Sequence, residues 1–185
     1  ESFIKNEIAK RLLTRLEYIK IHPNNILIVG YIDKDYLTVL TQRFPDCEIC
    51  FNHENETFDL IISNSIIHIT ENIADEITSY YELLNTDGMF LFSTFGDKSF
   101  KTLNQCFTSI DSHPHTNSMI DLLTWGNTLQ ASSFKTPAIE SEIIIFTYEK
   151  TRTLFDDIRE LNEPLSDTKM HIGLTGKDKW KSLLN

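Results

Sequence analysis

Asn25-Ile-Leu-Ile-Val-Gly-Tyr-Ile-Asp-Lys-Asp-Tyr36 reads as a strand running into a helix across a turn that holds one glycine, Gly30. Ile26 to Val29 is a continuous apolar run, the pattern of a parallel strand covered on both faces. A glycine-rich turn at such a place lets backbone N–H groups come close to a ligand, because a side chain would block positive φ and fill the ligand's space. Here Tyr31, Ile32 and Asp33 follow the single glycine.

Upstream, apolar residues at Phe3, Ile4, Ile8, Leu12, Leu13, Leu16 and Ile19 have the spacing of an amphipathic helix, which His22-Pro23-Asn24 ends. Downstream, the reading is a helix over Lys34 to Arg43, a short strand over Glu48 to Phe51 and a strand over Phe58 to Ser63. A helix over Asp75 to Leu84, a turn at Asn85-Thr-Asp-Gly88 and a strand over Met89 to Thr94 complete an α/β alternation. Helices are expected over Ser99 to Ser109, Met119 to Ala131 and Thr151 to Leu161, and two successive strands, Thr136 to Glu140 and Glu142 to Tyr148, as an antiparallel pair at the sheet edge. The expected organisation is one domain over residues 1–185, with an opening helix (1–22), a core (23–161) and a tail (162–185). Trp180 is expected to anchor that tail.

The 185 residues carry 17 Lys and Arg against 27 Asp and Glu, a formal charge of -10 that repels phosphate backbones, so nucleic acid is not an expected partner. No apolar run approaches the roughly 20 residues of a bilayer span, and no signal-peptide pattern is present, so a cytoplasmic location is expected. Basic residues gather locally at Lys5, Lys10, Arg11, Arg15 and Lys20 and again at Lys177, Lys179 and Lys181. Such a face is either solvated or a site for an acidic partner.

Cys47 and Cys50 form a C-x-x-C in a strand, where residues three apart point to opposite faces, and no second pair completes a zinc site. Cys106 reads as a small core residue and His113-Pro-His115 as a surface loop, so no metal site is expected. Trp125 and Gly126 read as core, and Asp156 with Arg159 as an i,i+3 pair on a charged helix face.

Phe58-Asp-Leu-Ile-Ile-Ser-Asn-Ser65, Glu82-Leu-Leu-Asn-Thr-Asp-Gly88 and Phe90-Leu-Phe-Ser-Thr-Phe-Gly96 together resemble the class I S-adenosylmethionine-dependent methyltransferases. Residues 119–134, 136–140 and 147–161 narrow the resemblance to the malonyl-acyl-carrier-protein methyltransferases of biotin synthesis, the BioC family, or to its mitochondrial complex I assembly-factor relatives. The likeness implies a Rossmann-like three-layer sandwich, mostly parallel and ending in an antiparallel hairpin. It implies S-adenosylmethionine as cofactor, with Gly30, Tyr31, Ser63 and Asn64 lining it, and Ser65 facing the substrate. It also implies transfer of a methyl group to a carboxylate carried by an acyl carrier protein, an acidic partner for which Lys10, Arg11 and Arg15 supply a basic face.

Three departures weaken the implied grip on the cofactor. The family's G-x-G-x-G turn appears as Gly30-Tyr31-Ile32-Asp33-Lys34, and its ribose-binding acid is replaced by Asn52 or His53, with Glu54 only approximately in place. Six residues separate Phe51 from Phe58, too few for the helix, third strand and helix that the family inserts there. Each lost hydrogen bond would cost on the order of 1 to 3 kcal/mol of affinity. The missing unit leaves the second strand as an edge open to self-association or to another subunit. A methyltransferase and a catalytically inactive partner or assembly protein that has lost S-adenosylmethionine binding are therefore both compatible with these residues. A nicotinamide-dependent reductase fits poorly, since that fingerprint is absent as well.

Overall fold

The computed structural model describes residues 2–53, 56–110, 113, 115–161, 176 and 180. Among these residues the elements are α1 (Phe3–Glu17), β1 (Asn25–Gly30), α2 (Lys34–Arg43), β2 (Glu48–Cys50), β3 (Phe58–Asn64), a 3-10 turn (Ile67–Ile69), α3 (Ile73–Glu82), β4 (Leu84–Ser93), α4 (Lys101–Thr108), α5 (Leu122–Ala131) and α6 (Thr151–Glu160). Side chains cap four of the helices. Ser2, Asp33, Asn72 and Asp121 accept from backbone N–H groups that a helix start leaves unpaired.

All four strands pair in parallel, in the order β2-β1-β3-β4. Leu27, Ile61 and Phe58 face one side, where Ile77 and Tyr80 of α3 and Trp125 and Leu129 of α5 cover them. Ile26, Ile28, Leu60 and Ile62 face the other, under Ala9, Leu12 and Leu16 of α1 and Tyr36 and Leu40 of α2. The result is the expected three-layer sandwich, and the unbroken apolar run of β3 is explained by burial on both sides. The C-x-x-C reading holds in the same terms, since Cys47 packs with the α1 side and Cys50 with the α3 side. Burial pushes the Cys47 thiol up to about 11.

Several expectations are corrected. No strand forms over residues 136–148, so the antiparallel hairpin is absent and β4 is an outer strand like β2. The cause is long-range: Glu140 and Glu142 pair with Arg15 and Arg11 of α1, and Phe146 meets Phe3 edge-on at 5.6 Å. Those contacts hold the segment against a helix, where no neighbouring ladder offers hydrogen bonds. The turn at Asn85 to Gly88 is absorbed into β4 as an irregularity, with Asp87 at φ 63° and the register shifting between Phe58 and Leu60. Cys106 is exposed rather than part of the core.

Other expectations are met. Trp125 is buried against Phe92, and Arg159 donates to Asp156 at 2.8 Å. His115, expected on a surface loop, is instead half-buried and stacked on Phe107 at 3.9 Å, and Trp180 contacts Phe155 at 4.8 Å. Most of the tail, including Lys177, Lys179 and Lys181, lies outside the described residues, as does Glu54.

The amino ends of three strands are tied by one carboxylate. Asp59 accepts from the Asn24 backbone N–H at 2.7 Å, the Asn24 side chain at 2.9 Å and the Asn85 side chain at 2.8 Å. These bonds, the Asn24 backbone first, hold the Asp59 carboxyl below its ordinary value. A depressed carboxylate stabilises the fold above its unfolded value, about pH 4, and that contribution is lost as pH falls through the folded value. Asp59→Ala should therefore lower stability by about 1 kcal/mol at neutral pH, a figure reduced for the site's partial exposure, and by much less at pH 2. Urea melts of both proteins across that range check it, and an equal difference at both pH values would contradict the assignment.

Candidate cofactor site

In an open parallel sheet, ligands bind beyond the carboxyl ends of the strands where the strand order reverses. Here that crevice lies between β1 and β3, and the residues there hold one another. Asn64 donates through Nδ2 to the Tyr31 carbonyl at 3.0 Å, and its Oδ1 accepts from the Ser93 hydroxyl at 2.8 Å and the Ser65 hydroxyl at 3.2 Å. The Ser65 N–H donates to the Ser93 carbonyl and hydroxyl, both at 3.1 Å, with Ser65 itself at φ 53°. Asn64 and Ser65 are 1% and 2% exposed, so their polar groups brace the ends of β1, β3 and β4 from beneath.

Gly30 has φ 89°, and a Cβ there would stand 2.5 Å from the Asn64 carbonyl oxygen. Its glycine is thus required by the packing of β1 on β3, independently of any ligand. Asp33 then caps α2, its carboxylate accepting from the Tyr36 N–H at 2.7 Å. That carboxylate sits where the helix start would otherwise attract an anion.

Sequence reasoning grouped Gly30, Tyr31, Ser63, Asn64 and Ser65, and the structure does bring them together at the ends of β1 and β3. Gly30 is exposed and Tyr31 half-buried, whereas Ser63 is fully buried, and its hydroxyl has no hydrogen-bond partner in good geometry. Ser93 was not singled out, although it closes the network from β4. Its signal was the serine at the carboxyl end of an apolar strand, the same signal that marked Ser63.

Beside the crevice, the link from β2 to β3 contains no helix or strand among its described residues, so the expected absence of the crossover unit is met. It leaves a cavity of about 530 Å³ open on the α3 face of β1. Tyr80 lines it, its phenol pushed well above its ordinary value first by burial and then by the Glu76 carboxylate, with Ser63 acting in the opposite sense.

The basic face of α1 is not free. Arg11 is held by Glu7 at 2.8 Å and by Glu142, and Arg15 by Glu140 and, at 3.3 Å, by Glu142. The Glu140 contact raises the Arg15 guanidinium further. Lys10 remains exposed. Three cations expected to act as one face thus divide into two neutralised arginines and a lysine.

No protein-family model matches the chain. Among curated proteins, malonyl-[acyl-carrier protein] O-methyltransferase of Nitrosospira multiformis is 24% identical over 228 residues, covering 98% of this chain and 74% of that protein. The proteins of the same name from Legionella pneumophila and Gallionella capsiferriformans are 24% and 25% identical, covering 96% and 98% of this chain and 74% and 75% of theirs. The first match extends over more residues than the 185 of this chain, so the relative carries segments that this chain lacks. Among solved structures, the plantazolicin methyltransferase BpumL in complex with a desmethylPZN analog and SAH matches with a TM-score of 0.44 at 12% identity, over 69% of this chain and 62% of that one. A putative methyltransferase from Bacillus halodurans C-125 matches with a TM-score of 0.43 at 14% identity, over 70% and 69%.

A parallel sheet ordered β2-β1-β3-β4 lies between two helical layers, and the chain-long likeness is to class I methyltransferases. Within that class it is BioC-like. No helix among the described residues is long and apolar enough to cross a membrane.

Proposed function

We propose that this chain is an S-adenosylmethionine-dependent methyltransferase that esterifies a carboxylate on an acyl-carrier-protein-linked substrate, as a step of biotin synthesis in the cytoplasm. The observation that carries the reading is likeness to malonyl-[acyl-carrier protein] O-methyltransferases over nearly the whole chain. The same likeness weighs against the inactive-partner reading, which rests on the three departures alone.

When bound, the cofactor supplies an electrophilic methyl group on a sulfonium. The acceptor carboxylate is already an anion, so this chain needs no general base, and its task is alignment. Gly30 and Tyr31 border the crevice, while Ser63, Asn64 and Ser65 set its floor by fixing the carboxyl ends of the strands. Two acids, Glu76 and Glu82, line the cavity beside the crevice together with apolar side chains, a setting that suits the cationic end of the cofactor.

Titration calorimetry of the full chain with S-adenosylmethionine tests the reading. Micromolar binding, followed by methylation of malonyl-acyl carrier protein, is the expected result. No heat at millimolar ligand would overturn it and leave the chain a binding partner built on this sheet.

Docking of an acidic carrier on α1 must displace Glu140 and Glu142 from Arg15 and Arg11. Replacing both glutamates with Gln should therefore strengthen carrier binding about two- to five-fold, the range in which exposed ion pairs act. Surface plasmon resonance at two salt concentrations reads this, and unchanged affinity would remove α1 from the docking face.

A further inference from the structure

The two outer strands of the sheet are guarded unequally. The stretch after α5 crosses β4: Phe134 stacks on Phe90 with ring centroids 6.0 Å apart, a Cβ on Gly126 of α5 would stand 3.6 Å from Ile139, and Glu140 and Glu142 reach the arginines of α1 on the opposite face of the sheet. β2 pairs with β1 alone, and among the described residues no strand adjoins its other side. An open edge of this kind is a template for another strand.

The ladder fixes which backbone groups that edge offers. The Glu48 N–H donates to the Asn24 carbonyl at 2.9 Å, and the pairing runs in register from Asn25–Glu48 to Leu27–Cys50. Alternate residues of a parallel strand turn their backbone groups to the same neighbour, so Glu48 and Cys50 face β1 while Ile49 faces away. Because every peptide unit here is planar and trans, the Cys47 carbonyl and the Phe51 N–H point outward as well. The Cys47 N–H is already used, donating to the Phe44 carbonyl at 3.2 Å.

The Cys47 carbonyl, both groups of Ile49 and the Phe51 N–H are complementary to themselves. With a second copy running antiparallel about a two-fold axis at Ile49, the two Ile49 residues exchange both N–H···O bonds, and each Phe51 N–H meets the other copy's Cys47 carbonyl. None of these groups is left over. The side chains suit the same register: Phe51, 57% exposed, comes opposite Cys47 of the second copy, and Glu48 comes opposite Cys50 rather than another acid.

We infer that two copies of this chain join edge to edge through β2, antiparallel across Ile49, into one continuous sheet. The inference is independent of the methyltransferase reading. A three-residue edge makes a small interface, so the dissociation constant should fall at about 10 to 100 µM. The formal charge of -10 on each copy opposes contact, and salt screens that repulsion, so the dimer should tighten as salt rises. An interface built on ion pairs would do the reverse.

Sedimentation equilibrium of the full chain up to about 500 µM, at about 50 mM and about 500 mM salt, tests this. Ile49→Pro removes the outward donor and no bond to β1, and should weaken the dimer more than about ten-fold. Ile49→Cys, combined with Cys47→Ser, Cys50→Ser and Cys106→Ser, should give a disulfide-linked dimer on mild oxidation, since residues that exchange both bonds lie about 5.5 Å apart at Cα. Thermal melting confirms that each variant is folded, and the cysteine variant serves if the proline variant is not. A chain that stays monomeric to about 500 µM overturns the inference. So does a dimer that the folded proline variant leaves unweakened and the cysteine variant leaves uncrosslinked.

Discussion

Gly30→Ala is expected to lower the stability of this protein by about 2 to 4 kcal/mol, the sum of left-handed backbone strain and a packing clash. Residue 30 sits at φ 89°, where a Cβ is disfavoured, and the added carbon would stand 2.5 Å from the Asn64 carbonyl oxygen and 3.2 Å from Ile66. The obstructing atom is backbone at the last pair of the β1–β3 ladder, so it cannot swing aside as the end of a long side chain would. Urea unfolding reads the effect. A loss below about 0.5 kcal/mol would mean that the strands relax freely, and that the glycine is kept for a ligand instead.

Asn64→Leu is the second large effect, about 2 to 4 kcal/mol. The substitution keeps the number of side-chain heavy atoms but removes the donor to the Tyr31 carbonyl and the acceptor shared by the Ser65 and Ser93 hydroxyls. Those partners are themselves partly or fully buried, so the cost includes leaving them unpaired. Because the network joins the carboxyl ends of β1, β3 and β4, the variant should also loosen the crevice. Hydrogen exchange would show it as faster exchange of the Ser65 amide, which donates to Ser93. An unchanged exchange rate there would indicate that the network does not brace the site.

Much of this arrangement was readable in the chain. The apolar runs Ile26 to Val29 and Phe58 to Ile62 are buried parallel strands, because continuous apolar sequence is needed only where both faces are covered. Helix starts were less sharp: α3 begins at Ile73, two residues before the expected Asp75, since Asn72 caps it through its side chain. α5 begins at Leu122 rather than Met119 because Asp121 provides the cap. The candidate residues Gly30, Tyr31, Ser63, Asn64 and Ser65 were found together because strand ends in a parallel sheet converge by topology. Their work was harder to see, as facing a ligand and bracing a neighbouring strand require the same small polar residues.

What the sequence alone determined is the α/β alternation, the parallel pairing it implies and the lack of a helix, strand and helix between β2 and β3, all consequences of local periodicity and chain length. The pairing of Arg11 and Arg15 with Glu142 and Glu140, more than a hundred residues away, was decided only by the tertiary structure. So were the loss of the hairpin over residues 136–148, the exposure of Cys106 and the opening of a ligand-sized space beside Tyr80. Periodicity reports which face of an element turns inward, but the identity of the surface it meets depends on where the rest of the chain has been laid down. Charges and β-prone segments are the most sensitive to that placement, because their free energy is set by the neighbour rather than by the residue.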